Sequence, residues 1–326
     1  MARIYVLHEN EAWVLPLRAA FAELRLPYDE WFVDSGTVDL HAAPPPGVFY
    51  NRMSASSHSR GHRFGPEHTA TLLAWLESYD RPVVNGWRAV QLEISKAAQY
   101  TALSRFGIRT PRTLVVTGRT RLAAAAAGFF EALGGAPVLL KPNRGGKGLG
   151  VRLFETPAAL AAHVEGTAFE PSLDGAMLLQ EYVRSPESHI IRCEFVGGAF
   201  LYAVRVDTSD GFELCPADAC EAGDAFCPSG EAAAAAKFEI LDDFRHPLLD
   251  RYQAFLAAND IAVAGIEFVT DAAGNAFTYD VNTNTNYNPE AEARAGRSGM
   301  HAIARYLGDR LAHDCAGPAI ALAAGD

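Results

Sequence analysis

The sequence predicts an α/β protein that begins with a small parallel sheet and continues into hairpins and helices. In the first ~85–90 residues, short apolar runs alternate with amphipathic helical patterns, which is typical of βαβ units. Farther along, alternating apolar and polar runs flank Gly-rich turns, such as that at Gly197 and Gly198, which indicates antiparallel hairpins. At 326 residues the chain is too long for one simple core, so two or three domains are expected.

The N-terminal elements follow from apolar runs and from the residues that interrupt them. Pro16 suits the first turn of a helix, so the first helix is predicted to begin there. A Pro-rich loop separates the second strand from the third. Strands are therefore predicted at 3–7, 28–33, 48–53 and 82–85, with helices at 16–26 and 66–79.

The rest of the chain gives a similar series of elements. A helix over 89–106 is expected to end at Gly107, and a last helix is expected over 296–312. Residues 207–236 show no readable pattern, and the spacing of Cys215, Cys220 and Cys227 is a poor zinc pattern, which favours ordinary loop cysteines. The other predicted strands are 112–117, 137–142, 151–154, 177–183, 189–196 and 199–206, and the other helices are 119–133, 157–165 and 247–258.

A hairpin over 263–282 carries the strongest chemical signal. Successive side chains on a strand point to opposite faces, so Glu267, Asp280 and Asn282 share one face. If the hairpin folds symmetrically about residues 273 and 274, Glu267 lies opposite Asp280, with Cβ atoms roughly 4.5–5.5 Å apart. Such a pair suits Mg²⁺, although a solvated polar face is the alternative interpretation. The other face is predicted to hold Ile266, Phe268, Phe277, Tyr279 and Val281.

A Gly-rich loop over 143–150 joins two predicted strands. Its backbone N–H groups could close over phosphates, and Lys141, Arg144 and Lys147 lie within or beside it. The loop is not a Walker loop, because the spacing differs and a strand follows it instead of a helix. A plain turn is the alternative, but the basic residues favour an anion clamp.

Two polar loops are candidates for substrate contact. The loop after the third strand is locally cationic, and carboxyl ends of parallel strands are where α/β folds bind ligands, so an anionic substrate could dock there. A solvated, hydroxyl-rich loop is the alternative. Zinc is not expected at His58 and His62, because no acidic or Cys partner has suitable spacing. The candidate substrate residues in these loops are Arg52, Ser54, His58, Arg60, Asn284 and Asn286.

Composition and charge exclude several classes of protein. The net charge of −11 argues against a general nucleic-acid binder or a protein of anionic membrane surfaces. Five cysteines are an odd number in a large chain in which no signal peptide is recognised, which favours the reducing cytosol. No apolar run approaches the length of a membrane span. We therefore expect a cytoplasmic protein.

Taken in order, these motifs resemble the ATP-grasp enzymes, most closely the RimK-like glutamate ligases and the glutathione-synthetase-type carboxylate–amine ligases. The resemblance covers roughly residues 48–310. It implies three domains: an N-terminal α/β domain over 1–88, a central ATP-grasp subdomain over 89–184, and a C-terminal ATP-grasp subdomain over 185–326. ATP would lie between the last two.

The resemblance also implies roles for particular residues. Glu267, Asp280 and Asn282 match the magnesium-ligand positions, and Arg192 and Arg205 resemble the arginines near the transferred phosphate, with Arg205 stabilising the oxyanion. The segment from Gln180 resembles the hinge that holds adenine, and Glu187 matches the ribose-binding acid. The implied ATP contacts are Lys96, Lys141, Gly145, Gly146, Lys147, Gly148, Gln180, Glu181, Tyr182, Val183 and Glu187.

The function implied by the resemblance is ATP-dependent amide or peptide bond formation through an acyl phosphate. The cofactors would be ATP and two Mg²⁺ ions, with Mn²⁺ as a substitute. The partners would be a carboxylate and an amine, each a small molecule or a peptide, and homo-oligomers are common among such enzymes. A non-catalytic ATP-binding protein and a phosphotransferase are the alternatives.

Three departures from the family concern the substrate. Asp280 stands where Glu is more usual, which alters how two metal ions are bridged. The Arg-Ser-Asn segment expected after Arg205 in RimK-like enzymes is absent from the sequence. The loop after Asn282 is unusually rich in Asn and Thr. A substrate other than glutamate is therefore expected.

Overall fold

Three β-sheets organise the residues that this computed structural model describes, which are 2–146, 148–209 and 237–314. Lys147 and the predicted loop cysteines Cys215, Cys220 and Cys227 lie outside the described residues. The α/β fold class predicted from the sequence is confirmed, because a parallel sheet is followed by two antiparallel sheets with helices between the strands.

The N-terminal sheet is parallel throughout, as the alternating pattern predicted. Its strand order is β2-β1-β3-β4, so the chain crosses over after the second strand. The carboxyl end of the third strand leads directly into the loop that begins at Arg52. The strands are β1 (Arg3–His8), β2 (Tyr28–Phe32), β3 (Gly47–Asn51) and β4 (Val83–Val84), and the helices are α1 (Glu11–Glu23) and α2 (Gly65–Ser78).

Helix α1 begins five residues before Pro16, so the predicted start was wrong. The Asn10 side chain accepts a hydrogen bond from the Trp13 backbone N–H at 3.3 Å and caps the helix there. Pro16 is therefore inside the helix. Its ring costs one backbone hydrogen bond, which the cap and the buried face of the helix outweigh.

The single helix predicted over 89–106 is two helices, α3 (Trp87–Glu93) and α4 (Lys96–Ser104). Ser95 separates the two helices. Its side chain accepts a hydrogen bond from the Ala98 backbone N–H at 3.2 Å and so caps the N-terminus of α4. Lys96 is consequently the first residue of α4. This position brings its side chain toward the other sheets.

The central sheet is antiparallel, with the strand order β5-β8-β6-β7. Strands β6 and β7 flank the Gly-rich loop, as predicted. Two helices pack on the sheet through an apolar cluster that includes Phe130 and Leu160. The strands are β5 (Thr113–Thr117), β6 (Val138–Pro142), β7 (Arg152–Phe154) and β8 (Ala176–Glu181), and the helices are α5 (Arg119–Ala132) and α6 (Pro157–Glu165).

The C-terminal sheet is also antiparallel, with the order β11-β10-β9-β12-β13. Strand β11 was not predicted. The last predicted helix, 296–312, is found as Gly299–Asp314, and the helix before it, which ends at Gly296 with a φ of +61°, was not predicted. The strands are β9 (His189–Val196), β10 (Ala199–Asp207), β11 (Phe238–Leu241), β12 (Val263–Thr270) and β13 (Ala276–Asn282), and the helices are α7 (Leu248–Ala258), α8 (Pro289–Ala295) and α9 (Gly299–Asp314).

Both faces of the C-terminal sheet are covered. On one face, Val204 and Val206 belong to an apolar cluster shared with α1, α9 and the N-terminal sheet, which we call the first cluster. On the other face, Ile191 and Ile266 pack with α3, α4 and α7 in the second cluster. A side chain of this sheet therefore meets a different environment according to the face on which it lies.

We propose that the three sheets correspond to the three predicted domains, because each sheet falls within one of the predicted ranges. Among the helices of the described residues, none combines the length and the apolar character needed to cross a bilayer.

Candidate active site

A cavity of about 650 Å³ is lined by residues of the central and C-terminal sheets, of helices α1, α3 and α4, and of several loops, including the loop that follows β3. Most of the predicted site residues reach it: Ser54, Lys96, Lys141, Gly145, Gly146, Gly148, Gln180, Glu181, Tyr182, Val183, Arg192, Glu267, Asp280, Asn282, Asn284 and Asn286. The described residues that line it do not include Arg52, His58, Arg60, Glu187 or Arg205.

The β12–β13 hairpin places its polar residues in this cavity. Glu267 lies opposite Asp280, and Gly265 lies opposite Asn282, so the predicted opposition of the two carboxylates is confirmed. All three polar residues of the predicted set line the cavity. The geometry therefore brings two carboxylates and one amide to a single place.

A β-bulge in β13 changes the face of the residues nearer the turn. The register shifts between Glu267 and Phe268, which leaves Tyr279 as the extra residue. Val281 packs in the second cluster, as Phe268 does, whereas Phe277 and Tyr279 pack against the first cluster. The predicted common face for these apolar residues was wrong. Tyr279 lines the cavity as a result.

The oxygen donors are held by basic groups. Glu267 accepts a hydrogen bond from Arg192 Nη1 at 2.7 Å and lies 3.4 Å from the Asn282 amide nitrogen. Asp280 accepts from Lys96 Nζ at 3.0 Å. Burial raises the pKa of Glu267, Arg192 opposes that shift, and Asp280 adds to it. Hard oxygen ligands at this spacing fit Mg²⁺.

Two lysines, Lys96 and Lys141, line the cavity. Burial alone would lower the pKa of Lys96, but the charge of Asp280 raises it above its ordinary value. Burial, together with the charge of Lys96, lowers the pKa of Lys141 to about 7. Lys141 donates to the Tyr100 hydroxyl at 2.6 Å and lies over the rings of Tyr100 and Tyr279. Lys141 therefore lacks a carboxylate at hydrogen-bonding distance in the described structure, and an anion would restore its charge.

The Gly-rich loop is tied to helices α4 and α2. The Gly145 carbonyl accepts from Lys96 Nζ at 3.3 Å, and the Asn143 side chain caps α4 by accepting from the Ala97 N–H at 2.9 Å. Arg144 does not line the cavity; it forms two hydrogen bonds to Glu67 of α2, at 2.7 and 3.1 Å. The arginine of the predicted anion clamp thus holds the loop in place.

The predicted adenine hinge forms the edge of the cavity. The Gln180 side chain donates to the Thr113 hydroxyl at 2.7 Å. The backbone N–H groups of Glu181 and Tyr182 donate to the carbonyls of Arg112 and Pro137, at 2.9 and 3.2 Å. These two amides maintain the strand edge.

The predicted ribose-binding acid, Glu187, lies away from this edge. Its side chain is 73% exposed and pairs with His189 at 3.4 Å. It is not among the described residues that line the cavity, whereas the neighbouring residues Pro186 and Ser188 are. A contact between Glu187 and a nucleotide ribose therefore requires its side chain to turn.

Arg205 does not reach the cavity, which corrects the prediction that it acts with Arg192. Arg205 lies opposite Ile191, on the face of the second cluster, and pairs with Glu239 at the sheet surface. A bulge at Leu201 shifts the register of β10 by one residue. A one-residue shift moves a side chain to the opposite face of the sheet.

Arg192 is enclosed by groups that the sequence did not single out. Its Nε donates to Glu194 at 2.5 Å and its Nη2 donates to the Thr285 hydroxyl at 2.6 Å. Its guanidinium lies against Gly265, where an added Cβ would approach to 2.3 Å. A glycine in the middle of a strand is the signal that could have indicated this close approach.

Comparison with known proteins identifies one segment. Residues 94–213 match the RimK-like ATP-grasp domain. A relative from Picosynechococcus sp., named "Probable alpha-L-glutamate ligase", is 34% identical over 127 residues, which are 39% of this chain and 40% of the relative. The chain thus spans about two fifths of the length of the curated relatives it matches.

Solved structures show that the fold extends beyond the RimK-like segment. The ATP-grasp RimK domain protein from Sphaerobacter thermophilus aligns with a TM-score of 0.62 at 19% identity, over 94% of this chain and 99% of that chain. D-cycloserine synthetase DcsG aligns with a TM-score of 0.63 at 18% identity, again over 94% and 99%. The chain therefore has the ATP-grasp fold, as the motifs predicted.

Arg52 lies behind the cavity wall. The side chain is buried, with 1% of the residue exposed. Its Nε donates to Asn284 Oδ1 at 3.1 Å, and its Nη2 donates to Asn286 Oδ1 at 2.7 Å and to the Thr285 carbonyl at 3.2 Å. Direct contact between Arg52 and an anionic substrate was predicted, but the guanidinium is occupied by the Asn-rich loop.

Arg60 is similarly occupied by hydrogen bonds within the protein. It pairs with the buried carboxylate of Glu9, at 3.0 and 2.5 Å, and lies over the Trp13 ring. It also donates to Ser56 Oγ at 3.2 Å. Because Glu9 also pairs with His62 at 3.0 Å, an acidic partner missing from the sequence pattern neutralises the cationic loop.

His58 and Glu93 complete the description of this wall. His58 lies 3.2 Å from the Ala55 carbonyl, and burial lowers its pKa. Glu93, which the sequence did not indicate, accepts from the Ala55 N–H at 3.2 Å and from the Thr283 N–H at 2.7 Å. Burial raises the pKa of Glu93. Through these hydrogen bonds, its carboxylate joins the loop that contains Ala55 to the loop that follows Asn282.

Proposed function

We propose that this protein is an ATP-dependent carboxylate–amine ligase that forms an amide bond through an acyl phosphate. The observation that carries the proposal is the meeting of Glu267, Asp280 and Asn282 with Lys96 and Lys141 in one cavity. Carboxylate and amide oxygens beside two lysines suit a nucleotide triphosphate and its metal ion. The RimK-like segment and the fold support the same reaction.

The nucleotide would lie between the central and C-terminal sheets. Gln180 to Val183 would border the base, and the Gly-rich loop would cover the phosphates with its backbone N–H groups. Lys96 and Lys141 would neutralise charge on the moving phosphoryl group. Since Lys141 is buried, its charge would act in a low-dielectric environment and be worth more than in water.

The metal ions would be held by Glu267, Asp280 and Asn282. When bound, Mg²⁺ would neutralise phosphate charge and orient the transferred group. Two ions are proposed because both carboxylates face the cavity, and Mn²⁺ would serve as a substitute because it also accepts oxygen ligands. Arg192 would position Glu267 through their hydrogen bond instead of contacting an oxyanion.

The reaction would proceed in two balanced steps. A substrate carboxylate oxygen takes the γ-phosphoryl group of ATP, and ADP leaves. The amine nitrogen then bonds to the acyl carbon, the carbon–oxygen bond to phosphate breaks, and the amine loses a proton. Positioning and electrostatic stabilisation suffice for this chemistry, so a nucleophilic side chain is not required.

The test is ADP release by the purified protein with ATP, Mg²⁺ and hydroxylamine, across a panel of amino acids and peptide acids. We expect ADP release only with the right acid, together with a trapped hydroxamate. Asp280→Ala should abolish turnover while Arg205→Ala retains it. Full turnover in Asp280→Ala would contradict the assignment of Asp280 as a metal ligand.

Two alternatives give other products. A phosphotransferase would yield a stable phosphorylated compound and no free phosphate. A non-catalytic protein would bind ATP and release no ADP with any acid or amine. A cytosolic, homo-oligomeric protein remains part of the proposal, with cell fractionation and light scattering as the measurements.

A further inference from the structure

Beyond the proposed metal ligands, the wall of the cavity consists of neutral amide and hydroxyl side chains. Two arginines, Arg52 and Arg60, form hydrogen bonds to these side chains. Along residues 281–287 burial alternates: Asn282, Asn284 and Asn286 are half-buried and line the cavity, while the residues between them are buried. This alternation continues the pleat of β13 past the end of the strand. The three asparagines therefore form a row along one side of the cavity.

The orientation of two of these amides is fixed by Arg52. A guanidinium has only donors, so a side-chain amide that contacts it must present its oxygen. Asn284 and Asn286 each direct Oδ1 to Arg52, which leaves Nδ2 as the amide atom available to the cavity. A buried arginine thus converts two amides, which could accept or donate, into donors.

Arg60 has a comparable effect on the neighbouring loop, which contains Ser54 and Ser56. Ser56 Oγ accepts two N–H groups of Arg60, so both of its lone pairs are used and its hydrogen must be donated. Ser54 Oγ lies 2.9 Å from Ser56 Oγ and accepts from the Ser56 N–H at 3.2 Å. If the Ser56 hydroxyl donates to Ser54, the Ser54 hydroxyl is left to donate into the cavity.

The carboxylate of Glu93, which contacts both loops of this wall, offers no free acceptor to a ligand. Glu93 lines the cavity, but its oxygens accept from the Ala55 N–H, the Thr283 N–H and the Thr283 hydroxyl. Three donors from the protein occupy this carboxylate. An ammonium group of a ligand would have to displace them.

We propose that this wall binds the substrate through hydrogen-bond donors that Arg52 and Arg60 orient toward the cavity. The substrate there is an acyl compound rich in carbonyl or carboxylate oxygens. No ammonium group of the substrate faces this wall. The inference rests on the proposed function, because it names the substrate class of the same cavity. Arg52 and Arg60 are positioning residues in this arrangement. Asn284, Asn286 and Ser54 make the contact.

The substitutions that test this keep the arginine contact and remove the donor. Asn284→Asp and Asn286→Asp each retain an oxygen for Arg52 but lose the amide hydrogens. Asn288→Asp is the matched control: Asn288 caps α8 by accepting from the Ala291 N–H at 2.8 Å, and Asp caps a helix equally well. Asn288 is not among the described residues that line the cavity.

The probes are N-acetylated di- and tripeptides, which offer several acceptors, and spermidine, which offers only cationic donors. Binding is measured calorimetrically on protein loaded with ADP and Mg²⁺. We expect the acetylated peptides to bind wild type and Asn288→Asp alike, and at least tenfold more weakly to Asn284→Asp and Asn286→Asp. ADP affinity should remain within about twofold of wild type in all three variants, since the substituted residues lie outside the proposed nucleotide site.

Three results would overturn the inference: tighter binding of spermidine than of any acetylated peptide, unchanged peptide binding in both Asp variants, or no binding of any acetylated peptide to the loaded wild type. Failure of the proposed function is seen separately. In that case wild type still binds the acetylated peptides as expected, but with ATP, Mg²⁺ and hydroxylamine it releases no ADP and forms no hydroxamate with any acid.

Discussion

Arg192 and Arg205 lie on opposite faces of the C-terminal sheet. Arg192 lies opposite Val204 and lines the cavity, while Arg205 lies opposite Ile191 and pairs with Glu239 outside it. Thirteen positions separate the two residues in the sequence, and a hairpin without a bulge would place them on one face. The extra residue Leu201 therefore places the two arginines on different faces of the sheet.

Arg205→Ala is expected to leave ADP release within about twofold of wild type, because an exposed ion pair contributes roughly 0–1 kcal/mol to stability. Arg192→Lys is expected to lower kcat/KM by about 100-fold or more, because an ammonium cannot bridge Glu194, Glu267 and Thr285 together. Steady-state kinetics on both variants tests this. A large loss in Arg205→Ala with an unchanged melting temperature would show that Arg205 contributes to the reaction.

Gly265→Ala is expected to destabilise the fold by about 1–3 kcal/mol, because the new Cβ would press on the Arg192 guanidinium. Gly128→Ala in α5 is the control, since nothing lies within 4 Å of its added Cβ. Alanine favours a helix over glycine, so the control should gain about 0.5–1 kcal/mol. Urea denaturation followed by circular dichroism gives both values, and equal effects of the two substitutions would refute the packing argument.

Lys141→Met is expected to stabilise the nucleotide-free protein near pH 7. The native pKa of Lys141, about 7, lies below the ordinary value of about 10.4. Between these values the unfolded chain binds a proton that the native chain lacks, so wild-type stability rises with pH. The advantage of the variant should be largest below pH 7 and shrink toward pH 10. Denaturation curves at several pH values test this, and an advantage independent of pH would contradict it.

The same lysine predicts proton uptake when a nucleotide binds at pH 8. Phosphate charge favours the ammonium form, so wild type should take up close to one proton as ATP and Mg²⁺ bind. Lys141→Met should take up correspondingly less. Calorimetry in HEPES and in Tris, whose ionisation enthalpies differ, gives the number of protons. Equal uptake by both proteins would assign the proton to another group.

Glu67→Gln is expected to loosen the Gly-rich loop. The two hydrogen bonds from Arg144 lower the pKa of Glu67 and hold the loop against α2. Loss of this charge should raise amide exchange rates over residues 143–150 by about tenfold. Glu77→Gln, an exposed position on the same helix, is the control. If both variants exchange as wild type does, the loop is held by other contacts, such as that of Gly146 with Ser56.

Local chemistry was enough to predict much of the fold and part of the site. The alternation around Glu267 and Asp280 gave their opposition, and the glycines after Lys141 gave the loop between β6 and β7. These features depend on neighbours in the sequence. The continuation of that alternation through Asn286 was also visible, although its meaning required Arg52 to be seen behind it.

The remainder depended on contacts that the sequence does not encode locally. A bulge adds one residue without any compositional mark, so the faces of Arg205 and Tyr279 could not be predicted. Glu9 neutralises Arg60 from a position 51 residues away in the chain, and Glu93 joins two loops far apart in sequence. The partners of these residues are therefore set by tertiary packing.

The bulge at Leu201 has a consequence for how the gene can change. Leu201 is the residue of β10 left without a pairing partner on β9, so deleting it would leave Val204 opposite Arg192 and Arg205 opposite Ile191. The amino-acid composition of the strand would hardly differ. The bulge can therefore absorb a single-codon deletion without exchanging the faces of β10, whereas the same deletion in a strand without a bulge would move every later side chain to the opposite face.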